Sequence, residues 1–368
     1  MKKTVFLFCM CFSAQIHFGQ TKLKPGFDPH EYVQLLSLTF FKSGEPDSNK
    51  RKTEKGTHTF LYQSPESELC NQWKLYLRTD HIAVIDIRGT VQKTPSWLEN
   101  FYSAPVPATG VLQIKKDSIF QYQLAKNPEA YVHAGWLIGL AAIGPSVLEK
   151  MNMLYDQKGV HEFLMIGHSQ GGALLYLLRS YLHYQQEQGR LPKDLKLKTY
   201  CSAAPKPGNL YYAYDFEHIT QGGWSHTVVN PVDWVPETPI SIQTNSDFNP
   251  ISPVTFVRSV IKRQPLLIRI AGKWIVRKLD RSTRKSYKTF KKYFGKRMFR
   301  QIQKSLPELK QPQYSKGMNY MRTGLPIVLM PDDKYYQQFP LKSANLFQHH
   351  SFESYYYLLQ LNFPELEP

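Results

Sequence analysis

Residues 162–182 read EFLMIGHSQGGALLYLLRSYL. An apolar run, Phe163 to Ile166, breaks at Gly167-His168-Ser169-Gln170-Gly171, and apolar residues resume from Gly172. The pattern predicts a short strand, a tight turn and a helix from Gly172 to about Glu187. A hydroxyl between two glycines at such a turn is pushed out at the end of a sheet. Side chains at the flanking positions would meet the neighbouring elements. The helix also starts there, so its unpaired N–H groups point at whatever the hydroxyl meets. The bland alternative is a structural turn with a surface serine.

Working outward, the chain alternates strand and helix. WKLYLRTDHIAVIDIRGT reads as two strands around Thr79-Asp80. The second, Ile82 to Ile87, is almost wholly aliphatic, as in a strand covered on both faces. AGWLIGLAAIGPSVLEKMNMLYD reads as a helix that Pro145 can kink. LKLKTYCSAAP, HTVVN and LPIVLM read as strands, NLYYAYDFEHI as a short helix, and Phe352 to Leu361 as a terminal helix. Residues from about 20 to 70 read as a helix and irregular structure, and Val91 to about Ala130 as a polar, proline-bearing loop. The alternation predicts an α/β fold, a mostly parallel sheet with helices on both faces.

A serine hydroxyl attacks only when a base takes its proton, and that base needs an orienting carboxylate. In chain order after Ser169, the best-placed acid is Asp233 in HTVVNPVDWVPETP, at the end of a strand. Asp215 and Glu217 fall in a helix, and Asp332 and Asp333 are the fallback. NLFQHHSFESYYYLL offers His349 and His350 as the base, and adjacent residues project differently. His168 faces away from the serine and suits a packing role, and His133 precedes it.

The chain has 368 residues, 42% apolar and 20% charged, enough for one or two packed domains. Its net charge is +17, and 18 Lys and Arg against two acids fall between Arg258 and Lys310. There Tyr287, Phe290, Phe294, Met298 and Ile302 share one helical face. Such a basic amphipathic helix can lie on an anionic lipid surface, or it can pack its apolar face on the protein and leave its cations solvated. No nucleic-acid-binding module accompanies the charge, so no nucleic acid is expected.

At the N-terminus, two lysines and the apolar stretch Val5–Phe12 predict a signal peptide over residues 1–20. The domain then spans 21–368, with a basic helical insertion at about 250–315. No later apolar run reads as long enough to cross a membrane. Cys9 and Cys11 would leave with the leader. Cys70 and Cys201 remain, as one disulfide or as two buried thiols.

Taken together, these segments resemble the class 3 lipases, the fungal-type lipases of the α/β-hydrolase fold. MIGHSQGGALLYLL resembles the family's nucleophile elbow, and IAVIDIRGT its strand and R-G-[ST] turn. YVHAGWL is similar to its V-H-x-G-F segment, and YCSAAPKPGN to its Pro-x-x-Gly-Asn stretch. HTVVNPVDWVPETP resembles the acid loop. HHSFESYYYLL resembles the terminal histidine with a tyrosine five residues on, which selects His350 with Tyr355. The resemblance implies an ester hydrolase with Ser169 as nucleophile, Asp233 and His350 completing the triad, and Thr90 with the Gln170 N–H as oxyanion hole. It implies no metal or organic cofactor and a lipid or other ester as substrate. Trp97 and Leu98 resemble the apolar part of the family's lid helix. Gln170 stands where the family usually has leucine, a polar side chain beside the pocket. Two rival readings are an esterase for soluble or feruloyl-type esters, and a non-catalytic membrane-associated protein on a hydrolase scaffold.

Overall fold

The computed structural model describes residues 22–40, 58–244, 247–249, 251–252, 259–342 and 344–366. The expected leader, residues 1–20, lies outside them. In chain order the strands are β1 (His58–Gln63), β2 (Trp73–Arg78), β3 (Ala83–Ile87), β4 (Pro105–Pro107), β5 (Thr109–Lys115), β6 (Ser118–Gln123), β7 (Tyr131–His133), β8 (Glu162–His168), β9 (Lys196–Ser202), β10 (Ser225–Val229) and β11 (Leu325–Val328). The helices are α1 (Pro29–Phe40), α2 (Thr94–Phe101), α3 (Ala134–Lys158), α4 (Gln170–Glu187), α5 (Leu210–Ile219), α6 (Leu266–Phe290), α7 (Met298–Ile302), α8 (Asp333–Gln338) and α9 (Phe352–Asn362).

The main sheet has the order β1-β2-β3-β8-β9-β10-β11. The first two pairings are antiparallel, and the four from β3 to β11 are parallel. Successive residues of the central strands feed two different cores. Ala83, Ile85, Ile87, Phe163, Met165, Leu197 and Cys201 face one, and Val84, Leu164, Ile166 and Tyr200 the other. That is why these strands are continuous apolar runs. Burying each large aliphatic contributes about 1.5–3 kcal/mol. The strand order advances in one direction from β3, and parallel crossovers are right-handed. The crossover helices α3, α4 and α5 therefore cover one face, while α1, α8 and α9 cover the other. All five parallel strands end at the same edge, where the loops that carry Thr90, Ser169 and Asp233 begin.

Three expectations are corrected. Residues 91–130 are not a loop: they hold α2 and the β5–β6 hairpin. The hairpin buries Leu112, Phe120 and Tyr122 against the core while Val111 and Ile119 face out. That period-two pattern stands in VLQIKKDSIFQYQ, either side of its turn. Within 20–70, β1 extends the sheet beside β2. Finally, α3 is long and apolar enough to cross a membrane by length and composition. It runs through Pro145, and Trp136, Leu137, Leu140 and Val147 pack it into the core.

Cys70 and Cys201 are free, buried thiols. The insertion between β10 and β11 includes α6, a π-helical stretch over Lys291–Arg297, and α7. Phe290, Phe299 and Ile302 are buried, and Tyr287, Phe294 and Met298 pack at the edge of the core. The predicted apolar face of 287–302 is thus turned to the protein. The exposed apolar residues lie further back, on α6, among them Leu267, Ile268, Trp274 and Leu279.

Candidate active site

Ser169 holds φ 60° and ψ −129° between β8 and α4. A non-glycine residue there is strained, by about 1–3 kcal/mol. Its N–H is held by the Ser202 carbonyl at 2.9 Å, and its carbonyl accepts the Gly172 N–H at 3.0 Å. The flanking glycines are required by contact. A Cβ on Gly167 would lie 2.2 Å from the Gly171 carbonyl oxygen, and one on Gly171 would lie 2.2 Å from that of Ile87. No side chain can fit either gap.

Asp233, 2% exposed, follows β10 in a loop closed by its N–H on the Asn230 carbonyl at 3.0 Å. Three donors meet its carboxylate. His350 Nδ1 reaches Oδ2 at 2.6 Å, the Tyr355 hydroxyl donates to the same oxygen at 2.9 Å, and the Val235 N–H donates to Oδ1 at 3.0 Å. An acceptor at Nδ1 requires the proton there, which leaves Nε2 of His350 as a base. His349 turns elsewhere, with Nδ1 at 2.7 Å from the Tyr335 hydroxyl. Asn230 joins the two loops. Its amide donates to the His349 carbonyl and to the Tyr335 hydroxyl, both at 2.9 Å, and its N–H donates to the Tyr355 hydroxyl at 3.2 Å. Two other acids, the fallback Asp332 and the helical Asp215, are engaged elsewhere. Asp332 caps α8 through the Tyr335 N–H, and Asp215 accepts the Tyr184 hydroxyl.

Ser169, His350, Thr90 and Gln170 line one cavity of about 740 Å³. Among the described residues no hydrogen bond joins the Ser169 hydroxyl to His350; such contacts are often open before substrate binds. The cavity wall is aromatic: Trp97 stacks on Phe101, and Phe347 meets both Trp97 and Trp234. Phe290 and Phe294 of the insertion close another side.

The Thr90 hydroxyl is oriented by Asn100. Trp136 Nε1–H donates to Asn100 Oδ1 at 3.0 Å, so the Asn100 amide turns its NH₂ to Thr90 Oγ1 at 2.9 Å. The Thr90 oxygen accepts, and its own proton stays free to donate into the cavity. His133 holds the Asn100 carbonyl at 3.1 Å and stacks on Trp136. Burial pushes His133 down to about 3, so it stays neutral. No sequence pattern marks Asn100, because its role depends on where α2 sits beside Thr90. Gln170, 2% exposed, does not stay beside the pocket as a free polar group. Its Oε1 accepts the Ser96 hydroxyl at 3.2 Å and latches α4 to α2. Its backbone N–H opens α4, where helix geometry leaves donors unpaired. With Glu99 buried and bound by Asn71 at 2.8 Å, α2 is a fastened wall bearing Trp97.

Residues 84–242 match the family model of the class 3 lipases. Solved structures with a similar fold include a triacylglycerol lipase from Penicillium expansum, 17% identical with a TM-score of 0.37 over 50% of this chain and 63% of that one. Lipase II from Rhizopus niveus is 20% identical with a TM-score of 0.37, over 50% and 61%. A lipase from Rhizopus microsporus var. chinensis is 20% identical with a TM-score of 0.36, over 50% and 57%. The match therefore spans less than two thirds of those lipase chains. No curated protein sequence matches the chain.

Proposed function

We propose that this protein is a serine ester hydrolase acting on acylglycerols or other lipid esters. The observation that carries the reading is the His350–Asp233 contact of 2.6 Å opening on an aromatic cavity that Ser169 also lines. His350 Nε2 takes the Ser169 proton as Oγ attacks the ester carbonyl. Asp233 stabilises the resulting imidazolium, and removing such a partner typically costs about 10⁴-fold in rate. The Thr90 hydroxyl and the Gln170 N–H donate to the tetrahedral oxyanion, where one donor is typically worth about 10²–10³-fold. His350 returns the proton to the leaving alcohol. Water deprotonated by His350 then cleaves the acyl-enzyme.

A long acyl chain fits the Trp97, Phe101, Trp234 and Phe347 walls better than a polar acid does. We further propose export after loss of residues 1–20, on the lysine-led apolar stretch, and an anionic membrane surface as partner of the basic insertion. The test is fatty-acid release as a medium-chain triacylglycerol passes from dissolved to emulsified. A jump in rate at the solubility limit, lost in Ser169→Ala, is expected. A rate that saturates below the limit would make the protein a soluble-ester esterase. Activity retained in Ser169→Ala would move the site elsewhere.

A further inference from the structure

The insertion has a buried apolar face and a cationic face. Phe290, Gly295, Phe299 and Ile302 are buried. Over Lys291–Arg297 the backbone is π-helical, with a wider turn than the 3.6 residues of an α-helix. The wider turn keeps residues four and five apart on one side. It therefore also stacks Lys288, Lys292, Lys296 and Arg300, at intervals of four, on the opposite side. With Lys291 and Arg297 they line a cleft of about 570 Å³ that has no acidic residue in its wall.

Among the described residues none of these six cations forms an ion pair. Three of them lie over aromatic rings instead: Arg297 is 4.4 Å and Lys292 5.5 Å from the ring centre of Tyr293, and Lys291 is 5.6 Å from that of Tyr314. Six like charges brought together on a helix repel one another, and no acid among the described residues pairs with them. Such a cleft is completed by anions from outside.

We propose that this cleft is a headgroup site for the phosphate groups of an anionic phospholipid surface. It rests on the lipid-ester reading above and specifies where that surface is held. Two observations favour a lipid surface over a free phosphate. The same segment carries the exposed apolar side chains Ile268, Trp274 and Leu279 on α6, which suit the acyl boundary beneath a headgroup layer and serve no dissolved anion. And the face opposite the cleft carries Phe290 and Phe294 into the wall of the Ser169 cavity. Headgroup layer and ester pocket are thus separated by about the 10–12 Å width of one helix.

The test is vesicle flotation with the full chain as Ser169→Ala, so that no lipid is consumed and the result does not depend on catalysis. Vesicles are phosphatidylcholine alone, or phosphatidylcholine with phosphatidylglycerol. Lys292→Gln, Lys296→Gln and Arg300→Gln together should weaken binding to the anionic vesicles about a hundredfold. An equal charge removed by Lys158→Gln, Lys193→Gln and Lys334→Gln, all exposed and outside the insertion, should change it little. Equal losses in the two triples, or unchanged binding by the cleft triple, would overturn the site. So would displacement from the vesicles by inorganic phosphate at constant ionic strength, which marks a small-anion site. Tighter binding of single-stranded RNA, lost in the same triple, would make it a nucleic-acid groove. Vesicle binding with no hydrolysis by the unaltered enzyme would sink the hydrolase reading and leave the cleft standing.

Discussion

His168 and His350 lie 182 residues apart, yet His168 Nε2 meets the His350 backbone carbonyl at 3.0 Å. A carbonyl only accepts, so Nε2 carries the proton and Nδ1 is bare. Nδ1 therefore accepts the Ser202 hydroxyl at 2.9 Å, and Ser202 in turn accepts the Tyr32 hydroxyl at 2.6 Å. Burial, helped by the neighbouring His350, pushes His168 well below the ordinary histidine range and keeps it neutral. A buried chain of donors from α1 thus fixes the backbone of the proposed base. We expect His168→Ala to lower kcat about 10–100-fold with little change in KM. Tyr32→Phe should have a smaller effect in the same direction. Equal loss of kcat and of folded protein, judged by thermal melting, would mean His168 only fills space.

The two adjacent histidines should separate cleanly. His350→Ala should lower turnover of a soluble ester on the order of 10⁴–10⁶-fold. His349→Ala should largely spare it, because His349 bonds Tyr335 and turns away from the cavity. The reverse result would move the base by one residue.

Thr90→Val and Asn100→Leu address the proposed oxyanion hole. Thr90→Val should lower kcat about 10²–10³-fold. Asn100→Leu should lower it less, since it frees the Thr90 hydroxyl to rotate rather than removing it. Pre-steady-state acylation rates with a chromogenic ester measure both. An Asn100 variant with full activity would exclude that residue from orienting Thr90.

Asp86 gives a pH signature. Burial lifts its carboxyl to about 6, against the favourable Thr39 hydroxyl contact at 2.9 Å. The unfolded chain loses this proton near its ordinary value of about 3.9. The folded state holds it longer, so its contribution is full below about 4 and is lost as pH rises through about 6. The difference is on the order of 3 kcal/mol. Asp86→Asn should therefore stabilise the protein at about pH 8 and do little at about pH 3.5. Denaturant midpoints across that range check it, and a gain at low pH would reverse the assignment.

Gly171→Ala puts a methyl 2.2 Å from the Ile87 carbonyl oxygen, where no side-chain rotation relieves the clash. β3 and the start of α4 must part, at a cost of about 1–3 kcal/mol or more. A lowered melting temperature and lost turnover are expected. An unaltered melt would show that the elbow has slack.

The sequence by itself settled what is local. The aliphatic runs at Ile82–Ile87 and Phe163–Ile166 marked strands covered on both faces, because a strand between two cores has no polar side to show. Gly167, Ser169 and Gly171 marked the elbow, because the clash that demands glycine arises within a few residues of the turn and beside one strand. The choice between His349 and His350 came only through the resemblance, in which a tyrosine follows the histidine by five residues; here the Tyr355 hydroxyl donates to Asp233. The tertiary structure decided the rest. Asn100 and Ser96 gained meaning only when α2 was placed beside Thr90 and Gln170, since a hydrogen bond between distant segments leaves no periodicity in either. For 287–302 the sequence left lipid and protein both open, because spacing shows that an apolar face exists, not what covers it. Whether it meets lipid or protein depends on packing, and here it packs against the protein while the cations stand clear.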